Sequence, residues 1–233
     1  MPVPNLTMKN GRRSTSRNYE QSRQKRHRFR YLIFSKPYGV LCQFTDSEGR
    51  STLSDFGPFP AGVYPAGRLD FDSEGLVFLT NDGNLKHQLL EPKYFHPRRY
   101  LVQVEQVPTE DQLQQLRDGV IVENKKTLPA KVHLLPEEPI LPERSVLIRF
   151  RKNVPTAWLK ITLREGRNRQ VRKMTAAIGH PTLRLVRIAI ANFTLKGLEP
   201  GQHRNVTESE LTELKKIFQQ GNMSRRSSQR PPS

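Results

Sequence analysis

The chain has 233 residues, 35% of them hydrophobic and 26% charged, which is enough for a real core in one or two domains. Its single cysteine, Cys42, excludes a disulfide framework and a paired-thiolate metal site, and no apolar run reaches the ~20 residues of a membrane helix. A formal net charge of +17 favours a polyanionic partner, most often nucleic acid.

That charge is uneven. Residues 1–30 hold nine Lys/Arg against one acid, Glu20, and residues 219–233 hold three Arg and no acid, so these flanks carry 8 + 3 = 11 of the 17 charges. Both flanks are polar with little to bury, so they read as a disordered basic arm and a disordered basic tail around an ordered unit at 31–218. The N-terminus lacks an apolar signal region, and cysteine use fits a reducing compartment, so a cytoplasmic protein is expected.

In chain order, Tyr31–Phe34 reads as a strand, Lys36–Gly39 as a turn, and Val40–Phe44 as a resumed strand. "LVFLTNDG" is a strand closing in turn residues, and residues 84–90 suit a short helix with Leu85 and Leu89 on one face. Tyr100–Val104 alternates as a strand. Thr109 with Gln112 forms a capping-box start for a helix that buries Leu113 and Leu116. Strands follow at Val120–Glu123, Ala130–Leu135, Ser145–Phe150 and Ala157–Leu163. The chain then turns at Gly166 into a helix striped by Val171, Met174, Thr175 and Ile178, ended by Gly179 and Pro181. "RLVRIAIANFTL" is a strand, and Thr207 with Glu210 opens a last helix through Phe218. Strands dominate without βα alternation, so the fold class is α+β with a mixed, mostly antiparallel sheet.

The six His show no HxxxH or HxH spacing, and neither a GxxxxGK[ST] loop nor a strand-borne GxGxxG is present, so neither metal nor cofactor is expected. What stands out is Asp70, set between Leu69 and Phe71 just ahead of Leu76-Val77-Phe78-Leu79. A carboxylate so near a core strand is costly unless it is paired or has work to do. Taken alone, Asp70 reads as a turn residue, Tyr100 as strand core, and Arg169, Arg172 and Lys173 as a solvated helix face.

Three stretches together change that reading. "GRLDFDSEGLVFLTNDG", "KYFHPRRYLVQV" and "LREGRNRQVRKM" occur in this order and resemble the active-site motifs of the RsuA-type pseudouridine synthases, with a likeness spanning about residues 31–200. Members often carry an N-terminal S4-type RNA-binding domain, for which the 30 residues ahead of Tyr31 are too few. The resemblance implies a pseudouridine synthase fold with a central cleft and flanking helices, acting as a monomer without cofactor on a uridine of 23S ribosomal RNA. It makes Asp70 the nucleophile, has Tyr100 pack on the flipped uracil, pairs Arg172 with Asp70, and lines the pocket with Val171. Arg68 would fill the gap left by the flipped uridine, and Lys36 and Arg169 would contact the RNA.

The chemistry agrees with this assignment. Uridine and pseudouridine are isomers, so the reaction needs no redox partner, no water and no phosphate donor. One ionised carboxylate can serve as nucleophile or base, an Arg in ion-pair reach keeps it ionised, and an aromatic platform with an inserted side chain offsets base extrusion. Attack at C1′, attack at C6 and abstraction of a 2′ proton all remain open to Asp70. A different class of protein, a non-catalytic RNA-binding or ribosome-assembly factor, could use the same fold, and the intact motif set argues against it.

Overall fold

The computed structural model describes residues 29–148 and 154–228, so the expected arm up to residue 28 lies outside the described residues. The chain opens with β1 (Tyr31–Lys36), and β2 (Tyr64–Pro65) and β3 (Glu74–Thr80) follow a long excursion. Asp82 accepts hydrogen bonds from Asn84 N and Leu85 N and so caps α1 (Gly83–Leu90). Then come β4 (Arg98–Glu105) and α2 (Glu110–Asp118), the latter opened by the Thr109–Gln112 capping box. A small hairpin, β5 (Ile121–Val122) with β6 (Lys125–Lys126), precedes β7 (Lys131–Leu134) and β8 (Thr156–Leu163). The chain ends with α3 (Gln170–Ala177), β9 (Thr182–Ile190), β10 (Phe193–Thr194), β11 (His203–Asn205) and α4 (Glu208–Ser228).

One sheet organises these parts in the order β11-β1-β3-β9-β4-β8-β7, with β2 added to β3 and β10 to β9. Every pairing in it is antiparallel except β3 with β9. The α+β class and the mixed, mostly antiparallel sheet are therefore as expected. The apolar run of β3 is buried on both faces. Leu76 and Phe78 face Leu85 and Leu89 of α1 and Leu214 and Phe218 of α4, while Val77 and Leu79 face Leu53, Val63 and Leu69 of the excursion. In the other half, Val102, Leu159 and Ile161 are covered by Leu113 and Leu116 of α2 and by Val171 and Met174 of α3.

Three elements differ from expectation. Val40–Phe44 does not resume a strand but makes a single bridge, Leu41 to Thr52, because Gly39 at φ +72° turns the chain across the sheet face. Ser145 to Ile148 is irregular, and the rest of that expected strand falls outside the described residues. The last helix continues past Phe218 to Ser228, passing through Gly221, a residue that costs a helix only about 1 kcal/mol. Among the described residues no helix is long and apolar enough to cross a membrane.

The join between β3 and β9 is very close. Glu74 pairs with Val186 and Gly75 with Arg187, and Gly75 adopts φ +108°. A Cβ there would sit 2.3 Å from Arg187 O and 2.7 Å from Arg187 N, so only glycine fits. Beside it, Arg184 clamps the buried Glu74 carboxylate through Nε and Nη2 at 3.0 and 2.8 Å.

The Gly75→Ala variant combines left-handed strain with a backbone clash and should lose about 3 kcal/mol or more of stability, seen as a lower urea midpoint at unchanged slope. His96 supplies a second test. It is buried beside Phe218, and burial, then the charge of Arg98, hold its imidazole down at about 3. The unfolded chain takes up a proton near pH 6.5 that the folded one refuses, so stability is full above that value and falls as pH drops toward 3. Between pH 7 and 5, wild type should lose about 2 kcal/mol more than His96→Phe, measured by urea unfolding at both pH values.

Candidate active site

The loop before β3 is built to hold one side chain in place. Ala66 N donates to Phe78 O at 2.7 Å, and Gly67 at φ +86° starts the turn. Leu69 then plugs into the core with Leu32, Phe34 and Cys42. Ser73 N donates to Asp70 O at 3.1 Å, and Gly39 N to Phe71 O at 2.9 Å, which closes the turn from both sides. Asp70 is thus flanked by an anchored Leu69 and a closed turn, with its side chain one-third exposed.

It borders a cavity of about 260 Å³, just under the usual range for ligand clefts and suited to a single base. The walls come from distant segments: Arg68, Leu69 and Asp70 from the loop, Tyr100 from β4, Leu163 from β8, and Val171 from α3. Tyr100 lies between Ile161 of β8 and Arg187 of β9 in register, 8% exposed at the cavity wall. Arg68 is exposed at the rim.

The opposite wall is the turn that leads into α3. Buried Glu165 accepts from Gln170 Nε2 at 2.5 Å and from Leu128 N at 2.8 Å, and Arg167 N donates to Gln170 Oε1 at 3.0 Å. This closed ring of hydrogen bonds fixes the "EGRNRQ" stretch. Arg169 caps α3 in the left-handed conformation, φ 50° and ψ 32°, which throws its side chain back across the cleft.

The arginine pairing differs from that expected. Arg169, not Arg172, is the cation in ion-pair reach of Asp70, with Nη1 at 3.5 Å from Oδ2. Arg169 also holds Asp72 in a fork, at 3.1 and 2.8 Å. Arg172 lies one turn further along α3 and reaches the loop backbone instead: Nη2 donates to Asp72 O at 2.6 Å, Nη1 to Thr182 O at 3.2 Å, and Nε sits 3.4 Å from Asp72 Oδ2. Burial alone would raise the Asp72 carboxyl. The Arg169 hydrogen bonds and the two guanidinium charges outweigh it and leave Asp72 below the usual carboxylate range.

Lys36 is a second correction. It is 1% exposed, and its Nζ donates to Pro37 O at 2.9 Å and Val40 O at 2.7 Å, so it ties up its own turn and presents nothing to a ligand. Burial lowers its ammonium to about 8. The loop chain folds over Lys36, which composition alone does not reveal. Of the other expected site residues, Asp70, Tyr100, Arg68, Val171 and Arg169 all line the one cavity. Not anticipated were Asp72 as the carboxylate that shares their arginines, Glu165 and Gln170 as the wall's internal brace, and Arg187 at the wall. Among the described residues no three His, Cys, Asp or Glu are grouped to hold a metal ion.

Comparison with known proteins follows the same segments. Residues 30–177 match the family model for RNA pseudouridylate synthase. The ribosomal large subunit pseudouridine synthase E of Vibrio vulnificus is 55% identical over 176 residues, covering 76% of this chain and 74% of that protein. The protein of the same name from Xanthomonas campestris is 52% identical over 175 residues, covering 74% of this chain and 93% of its own. Among solved structures, a crystal structure of a pseudouridylate synthase aligns with a TM-score of 0.66 at 29% identity, covering 80% of this chain and 74% of that one.

Proposed function

The chain belongs to the RNA pseudouridylate synthase family, and from that premise we propose that it isomerises one uridine of 23S ribosomal RNA to pseudouridine with Asp70 as nucleophile. The carrying observation is the cavity: the Asp70 carboxylate, the Tyr100 ring and the aliphatic Val171 meet in a space sized for a single base, rimmed by arginine. The relatives' names supply the source of the RNA, the large ribosomal subunit.

In this reading the target uridine leaves its stack, at a cost of a few kcal/mol, and enters between Tyr100 and Val171. Arg68, exposed at the rim, fills the vacated position. On the C1′ route Asp70 displaces the base from C1′, the freed ring turns over, C5 displaces the carboxylate to form C1′–C5, and the C5 proton is lost as N1 gains one. Arg169 aims Asp70, and Arg172 holds the loop that carries it by gripping its backbone. The catalytic unit spans residues 31–218, works as a monomer in the cytoplasm, and uses its basic flanks to hold RNA phosphates.

The Asp70→Asn variant keeps the shape of the loop and removes the charge and the nucleophile. It should fold, bind RNA, and give no detectable pseudouridine in a single-turnover assay on a ribosomal RNA fragment. Turnover within about tenfold of wild type, only ~1.4 kcal/mol of lost stabilisation, would place the nucleophile elsewhere. The Arg68→Ala variant should slow turnover on a structured RNA more than on one whose target uridine is already unpaired. Equal loss on both substrates would mean that Arg68 merely orders the loop.

A further inference from the structure

The cavity wall contains a cation that the scheme above does not use. Arg187 lies on β9, in register with Gly75 on one side and Tyr100 on the other, and is 5% exposed. Its Nε donates to Leu76 O at 2.8 Å. Its Nη2 is buried with no hydrogen-bond partner, and among the described residues no carboxylate stands within 4.0 Å of the guanidinium. Each neighbouring arginine has a protein acceptor: Arg184 has Glu74, Arg169 has Asp72, and Arg98 donates to Leu89 O. Arg98 is pushed down by burial and further by the uncompensated Arg187 charge beside it.

A buried guanidinium with an idle donor costs several kcal/mol unless something completes it. Arg187 borders the same cavity as Asp70 and Tyr100, so the completing group enters with the ligand. Resting on the functional reading above, we propose that Arg187 donates to a carbonyl oxygen of the flipped uracil and stabilises the negative charge that the ring gains during isomerisation. When C1′–N1 breaks, its electron pair leaves on the ring and spreads onto O2 and O4. C1′ then joins C5, and the C5 proton is lost as N1 gains one, so the ring returns to neutral. Attack at C6 also places charge on O4. A donor fixed in the sheet and out of water suits every one of these routes, because it needs no rearrangement as the charge appears.

The test replaces acceptor and donor separately. Single-turnover rates are measured on a ribosomal RNA fragment with uridine, 2-thiouridine or 4-thiouridine at the modified position, using wild type, Arg187→Met and Arg187→Lys. Sulfur is a poor acceptor, so one of the two thio substitutions should slow wild type about tenfold, the worth of one hydrogen bond to a charged group. Arg187→Met should be about 100-fold slower on uridine, with unchanged RNA affinity, and indifferent to the thio swap. Arg187→Lys keeps the charge and, should the Met variant not fold, reads out alone as an intermediate rate with a smaller thio effect. An Arg187→Met rate within tenfold of wild type, an Arg187→Lys rate equal to wild type, or a thio effect equal in wild type and variants overturns the assignment. A wild type that forms no pseudouridine overturns the functional reading itself and this inference with it.

Discussion

Everything at the site depends on the two-residue parallel contact between β3 and β9. The sheet is two antiparallel halves, β11-β1-β3 and β9-β4-β8-β7, and among the described residues this contact is where they join. Asp70 and Arg68 arrive from the first half, just ahead of β3, while Tyr100, Val171 and Arg169 belong to the second. The cleft is therefore the seam itself. Gly75 allows the backbones to touch, and the Glu74–Arg184 clamp beside it fixes their offset. A shift of one residue in that register would turn every side chain of β3 to the other face and carry the Asp70 loop away from Tyr100.

Charge at the seam is arranged so that the two carboxylates have unequal holds. Asp72 takes the forked hydrogen bonds of Arg169 and the proximity of Arg172, while Asp70 receives one longer contact. A carboxylate held in a full bidentate fork has its lone pairs occupied and is a poor nucleophile. Asp72 takes that fork and leaves the Asp70 oxygens freer, with the same guanidinium 3.5 Å away. With Asp70 one-third exposed, the contact is also partly screened by solvent, so its value lies in aim more than in stability.

Much of this was legible in the sequence wherever the cause was local. Both capping boxes, the Leu85/Leu89 and Leu113/Leu116 faces and the stripe on α3 follow from spacing alone, and all are present. Motif order brought Asp70, Tyr100 and Val171 to one cavity. What was not legible depends on backbone conformation or distant chain. The exchange of roles between Arg169 and Arg172 follows from one left-handed residue at a helix start. Lys36 is buried because an excursion that pairs with nothing regular lies over it. The Glu74–Arg184 clamp joins residues 110 apart. Arg187 did leave a trace, as the second of two arginines, after Arg184, in the otherwise apolar "RLVRIAI".

The placement of β1 has a consequence for how the protein is born. β1 is the first element of the described residues, yet its outer neighbour is β11 at His203–Asn205, and α4 follows to cover the same half. A growing chain reaches β1 and β3 early and must then wait for well over a hundred residues before β9 and β11 emerge. At about 5–20 residues per second, that is an interval of roughly ten seconds, during which an apolar strand offers an open edge. β9 and β11 follow β1 and β3 in the chain, so the molecule acquires its cleft and covers that open edge in the same later step. Closure of the nascent chain and formation of the cleft then coincide, set by the arrival of β9 through α4.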